Sequence, residues 1–188
     1  MISSDHIPTI ILMVALVIMS AYFSATETAF SSINKTRLRT LADKGDKKAE
    51  RVLDLAEQFD SLLSTILVGN NIVNIMLSSV AALFFITILK EDRNVAATVS
   101  TAVTTVIVLI FGEISPKSLA KESPEAFAQF SAPLIRIFMW ILTPVNFLFS
   151  LWKRLLSKIF KFQDDKGVTP DEFITFIDAV EEGGEIDS

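Results

Sequence analysis

Three apolar runs constrain the chain most: residues 7–30 carry no charge before Glu27, and residues 62–89 and 95–111 carry none at all. Each is long enough, or nearly so, to cross a hydrocarbon core about 30 Å thick as a helix. Lipid offers no water to an unpaired N–H or C=O, so such a run must close its hydrogen bonds internally. The expected fold class is therefore an all-α membrane protein, with transmembrane helices over about residues 7–31, 62–89 and 95–115. The first run does not read as a signal peptide, because it lacks a basic start and an A-x-A-like cleavage site.

Charge gathers in blocks between these runs, within a chain that is 51% hydrophobic and 21% charged. The formal net charge of -5 averages two opposite regions. The stretch "KTRLRTLADKGDKKAER" is basic, whereas the tail after Gln163 holds nine acidic residues against one lysine. Seven lysines and arginines lie between Lys35 and Arg51, two lie in "KEDRN", and none precedes the first run. By the positive-inside rule the N-terminus is outside and the basic loop is cytoplasmic, as is the C-terminus. With no cysteine and the single His6, thiolate and zinc sites are disfavoured, so a metal would be held by oxygen. No nucleophile–base pair or phosphate loop is present. An enzyme is not expected, nor is a nucleic-acid partner.

A fourth apolar stretch, "APLIRIFMWILTPVNFLFSLW", tests the topology. If it crossed, Lys153, Arg154, Lys158, Lys161 and Lys166 would lie outside, against the charge rule, and Pro133, Arg136, Pro144 and Asn146 interrupt it. Residues 124–161 read instead as a kinked amphipathic segment in the inner interface, with Trp140 and Trp152 at headgroup depth; an ordinary fourth span is the alternative. Beyond it, Thr169 as N-cap, Pro170 in the first turn and Glu172 open a short acidic amphipathic helix that stops at Gly183 and Gly184. Its stripe of Phe173, Phe176, Ile177 and Val180 needs a partner, and the chain is expected to be a truncated piece of a longer protein.

Polar residues inside the spans are costly and mark candidate sites. Ser20, Ser24, Glu27, Thr28 and Ser31 share a face of the first span. Asn70, Asn74 and Ser78 form a stripe on the second, with Gly69 and Asn71 beside it. Thr98, Thr101, Thr105 and Gly112 lie along the third, and Glu113 is adjacent. Hydroxyls in spans often only knit helices together, so the threonines carry the least weight, and Glu27 has a competing role as partner of a nearby lysine or as a cap. "GEISP" has a mechanical reading: Pro116 has no amide hydrogen for the carbonyl of Gly112, glycine leaves room for an ion, and Glu113 adds a negative charge. The segment reads as a cation-binding break of the kind that lines transporter cavities. Carboxylate, amide, hydroxyl and carbonyl oxygens favour a hard cation, Mg²⁺, Ca²⁺, Na⁺ or less well Mn²⁺, and a small rigid cage suits Mg²⁺ better than Ca²⁺.

In this order, "YFSATETAFSSINKTRLRTLADKGDKKAERV", "LLSTILVGNNIVNI" and "FGEISPKSLAKESP" resemble the transmembrane domain of the CorC/CNNM family of magnesium transporters, closer to its bacterial branch. The resemblance covers roughly residues 8–161. It implies a homodimeric Mg²⁺ exporter of the bacterial inner membrane, coupled to Na⁺ entry, with a belt helix over residues 124–161. It implies metal ligation by Ser24, Asn70, Gly112 and Glu113. The residues themselves add Glu27, Thr28, Ser31 and Asn74 as further ligand or pathway candidates and Pro116 as the helix break, although Glu27 stands where many relatives carry a neutral residue. The acidic tail, residues 162–188, is similar to the start of a helical bundle that precedes paired CBS domains, where the family binds ATP. A Mg²⁺-binding regulatory or scaffolding domain that does not itself transport is the alternative.

Overall fold

Each apolar run becomes one long helix in the computed structural model, which describes residues 6–89 and 93–160. Helix α1 (Ile7–Ser32) opens with Pro8 in its first turn and ends where Ile33 turns extended. Two short helices follow, α2 (Lys35–Asp43) and α3 (Lys47–Glu57). Asn34 caps α2 by accepting the N–H of Arg37 at 3.0 Å, and Asp46 caps α3 through the N–H groups of Lys48 and Ala49 at 2.8 and 3.3 Å. Gly45, at φ 90°, takes the left-handed conformation that the intervening turn requires. Helix α4 (Phe59–Leu89) is the second span. The third is continuous from Arg93 to Glu122: α5 (Arg93–Ile107), a π-helical segment (Val108–Ile114) and α6 (Ser115–Glu122). Helices α7 (Pro124–Ile141) and α8 (Thr143–Phe160) complete the described chain. Among the described residues, three helices are long and apolar enough to cross a membrane, and no strand occurs.

The chain divides into two compact units, Met1–Phe149 and Ser150–Ser188. Of the second, only the helical residues 150–160 are described; the acidic helix expected from Thr169 lies outside the described residues. In the first unit α1 is central and packs against α4, the π segment, α6 and α7, while α5 packs on α4 and α3 on α7. Small hydroxyl residues are buried among apolar ones between the helices, and many large apolar side chains face outward. Ser20, Ser24, Thr26, Thr65, Ser100 and Thr104 are buried, whereas Ile11, Ile18, Ile75, Leu83, Phe111 and Ile114 are exposed. That pattern suits lipid, where exposed apolar side chains cost nothing and small or polar residues mediate helix contact. At the tightest crossing, Gly69 of α4 faces the ring of Phe23, itself edge-on to Tyr22 and tilted on Phe138. The Tyr22 hydroxyl donates to the Ser131 carbonyl at 2.8 Å, tying α1 to α7.

The fourth apolar stretch is two helices that meet at Leu142, so the change of element falls there and not at Pro133, which sits inside α7. Helix α7 is amphipathic with respect to the bundle. Ala128, Ser131, Ala132, Ile135 and Met139 are buried, and Phe130, Ile137 and Trp140 are exposed. The polar residues that interrupt the stretch have partners far along the chain. Arg136 pairs with Asp54 of α3, and Asn146 donates to Ser61 and Thr65 of α4 at 3.2 and 2.9 Å.

On the side of the bundle nearer the start of α1, an apolar groove of about 560 Å³ opens between the three spans. Ile10, Val14, Leu77, Phe84, Val103 and Thr104 line it.

Candidate functional site

Nearer the end of α1 the three spans bring oxygen together. Ser20 of α1 donates its hydroxyl to the amide oxygen of Asn70 of α4 at 3.0 Å. Gly112 of the π segment lies against the same serine: a Cβ there would stand 2.9 Å from Ser20 Oγ and 3.4 Å from Ser20 Cβ. Glycine at 112 is therefore a requirement of the approach between α1 and the third span. One turn along α1, Ser24 is fully buried and its hydroxyl has no hydrogen-bond partner. The side-chain oxygens Asn74 Oδ1 and Thr104 Oγ1 are likewise buried and unpartnered. Buried oxygens without partners are expensive, on the order of 1–3 kcal/mol each, and call for an explanation such as a bound ion.

The third span widens where the sequence leads one to expect a break. From Val108 to Ile114 the backbone is π-helical, with the N–H of Ser115 bonding the carbonyl of Ile110, and α-helix resumes at once. The helix thus continues to Glu122. Pro116 stands in the first turn of α6, where its missing amide is tolerated, and it still leaves the Gly112 carbonyl without the α-type donor four residues on. π segments of one turn occur disproportionately at functional sites.

The two intramembrane glutamates differ. Glu113 is half-buried and has no ion pair or side-chain hydrogen bond among the described residues. Glu27 is paired, with Lys117 Nζ of α6 3.0 Å from its Oε2. Among the described residues no three His, Cys, Asp or Glu side chains converge. A cation would therefore be held by one or two carboxylates supplemented by neutral oxygens, a donor set for a hard ion that keeps part of its water. His6 is not part of it and packs edge-on against Phe84.

Not every residue named from the sequence joins this cluster. Of the four expected ligands, Asn70 and Gly112 meet at Ser20, Ser24 lies one turn further along α1, and Glu113 follows Gly112 in the chain. Thr28 turns its hydroxyl to the carbonyl of Ser24 at 3.2 Å, Ser31 is exposed, and so are Asn71 and Ser78. On the third span Thr98, Thr101 and Thr105 point away from the bundle, the first two bonding carbonyls four residues back. The buried face is Ala96, Ser100 and Thr104, continued at the same four-residue spacing by half-buried Val108 and by Gly112. That alternation of small residues was the signal for Ser100 and Thr104. Ser20 was visible on the α1 face, but its bond to Asn70 was not.

Similarity to known proteins runs along nearly the whole chain. The model of the Cyclin M transmembrane N-terminal domain matches residues 11–188. A UPF0053 protein of Haemophilus influenzae is 37% identical over 186 residues, covering 96% of this chain and 43% of the relative. The UPF0053 inner membrane protein YfjD of Escherichia coli K12 is 35% identical over 147 residues, 78% of this chain and 34% of that one. A polyamine export protein of the same strain is 25% identical over 185 residues, 91% of this chain and 41% of the relative. The chain thus spans less than half the length of these relatives. With three spans packed together through α1 and a family match that begins in α1 and runs on through the last span, the chain belongs to the Cyclin M transmembrane N-terminal domain family.

Proposed function

We propose that the chain is the membrane conduit of a Mg²⁺ exporter of the bacterial inner membrane, moving the ion against Na⁺ entry and carrying out no chemical catalysis. One observation carries this reading: Ser20 of α1, Asn70 of α4 and Gly112 of the third span meet, and one turn along α1 the Ser24 hydroxyl is fully buried without a partner. Ser24, Asn70, the Gly112 carbonyl and Glu113 are the ligands of this proposal, with Asn74 one turn further along α4. The N-terminus is outside and the basic α2–α3 hairpin is cytoplasmic. Helices α7 and α8 lie as a belt in the inner interface, and two copies form the working unit. ATP would act through CBS domains in longer members of the family and has no role at this site.

Polyamines are the second reading, favoured by the names of relatives that are 23–25% identical. Reconstitution of the purified chain in liposomes decides between them. The expected result is flux of Mg²⁺, read with an entrapped Mg²⁺-sensitive dye, that a tenfold excess of spermidine does not block. Spermidine flux without Mg²⁺ flux would establish the polyamine reading. Mg²⁺ binding without flux of either would leave a scaffolding domain.

The π segment offers a sharper test. Pro116→Ala supplies an N–H for the Gly112 carbonyl, which would let the α-helical ladder run through residue 116 and turn that oxygen from the ion. Mg²⁺ affinity measured by calorimetry should fall while the melting temperature holds or rises. The gain stays well below the roughly 3 kcal/mol of a proline in a helix interior, since Pro116 is in a first turn. Unchanged affinity would show that the proline is incidental.

A further inference from the structure

Lys117 is an odd residue to find here. It lies within the third membrane-spanning helix, its side chain is 42% exposed, and its ammonium sits 3.0 Å from Glu27 of α1, whose side chain is 28% exposed. It also stands four residues after Glu113, one turn on and on the same face, where lysine and glutamate reach one another. On α1, Glu27 is one turn beyond Ser24, whose buried hydroxyl lacks a partner. A paired carboxylate and ammonium, with Glu113 one turn away on the third span, therefore stand at the end of the bundle where α1 finishes. Any cation entering from that end meets a positive charge already in place.

We propose that the Lys117 ammonium is a tethered competitor cation: it holds Glu27 when no ion is present, and an incoming hard cation must exchange with it there. This rests on the cation-conduit reading above. A tethered ammonium lowers affinity for every cation, and it discriminates in favour of small divalent ions, whose charge density is enough to displace it, over singly charged ones. It also keeps the carboxylates from holding an ion too tightly for release.

Charge counting gives the test a sign. With Glu27, Glu113 and Lys117 all charged, the mouth carries a net -1. Lys117→Met makes it -2. Glu27→Gln leaves the ammonium free to turn to Glu113, for a net of zero, and the double variant returns to -1. Mg²⁺ affinity of the full chain in detergent, titrated with MgCl₂ alone, should rise about five- to tenfold in Lys117→Met. It should fall by a similar factor in Glu27→Gln and be near parental in the double variant, the size expected of one unit charge acting on a divalent ion across several ångströms of hydrated mouth. Lys117→Gln, which keeps a hydrogen-bond donor for Glu27, is measured beside Lys117→Met, and whichever keeps the parental melting profile is the one read. If the pair were only a latch between α1 and α6, both single variants would lower affinity together and the double would be no worse. That pattern, or melting profiles damaged in both lysine variants, overturns the proposal and leaves the conduit reading standing. A parental chain that binds no Mg²⁺ overturns both.

Discussion

Alanine at Gly69 is expected to destabilise the purified protein by about 2 kcal/mol or more, read as a clear drop in melting temperature in detergent. The new methyl would sit 2.5 Å from Cζ of Phe23 and 2.7 and 3.0 Å from the neighbouring ring carbons. The ring cannot swing aside. It is 1% exposed and held between Tyr22 and Phe138, with ring centroids 5.5 and 5.1 Å away. The strain therefore falls on the backbones of α1 and α4, the two helices whose approach also brings Ser20 to Asn70. Phe23→Leu in the same chain should restore most of the loss, because it removes the atoms that collide. A Gly69→Ala protein that melts like the parent would mean that α1 and α4 are less closely packed than the contact implies.

Glu113→Gln should do the opposite, sparing the fold and removing the ion. The substitution keeps shape and takes away one negative charge. Glu113 has no ion pair or side-chain hydrogen bond among the described residues, so little structural energy rides on it. A divalent ion in contact with that carboxylate loses at least about 2 kcal/mol of attraction even under full aqueous screening, roughly 30-fold in affinity. Calorimetry on a sample with a parental melting profile would measure this. Equal affinities in the two proteins would strike Glu113 from the ligands and return its charge to some other role.

The spans were readable because lipid admits so few backbone solutions. Expected bounds of about 7–31 and 62–89 meet helices at Ile7–Ser32 and Phe59–Leu89. The third was harder. A proline after "GEIS" rules out one α-type bond, and sequence alone cannot say whether the backbone answers by unwinding or by widening; here it widens across Val108–Ile114 and carries on. The face of α5 was the other difficulty. Hydroxyls occur all round that helix, and only the register against α4 separates buried Ser100 and Thr104 from exposed Thr98, Thr101 and Thr105. Arg136 and Asn146 were legible as interruptions of an apolar stretch. Their partners, Asp54 for the first and Ser61 and Thr65 for the second, lie more than eighty positions earlier, beyond the reach of any local pattern. For the candidate site, residue types and their order were apparent, because oxygen donors in a span are few. Which of them touch depended on two glycines that let helices approach, and closeness of that kind leaves only a faint trace in composition.

The apolar groove between the three spans bears on voltage. Its lining offers hardly any polar group, so water and ions avoid it, and on the proposed reading it supplies the insulating layer, on the side nearer the start of α1. On that reading, an ion held among Ser24, Asn70 and Glu113 has crossed little of the electric field. On the proposed reading, most of the electrical work belongs to the passage beyond that cluster, about 2.3 kcal/mol per elementary charge for each 100 mV and twice that for a divalent ion. Two monovalent cations moving the other way through the same dry layer would cancel it.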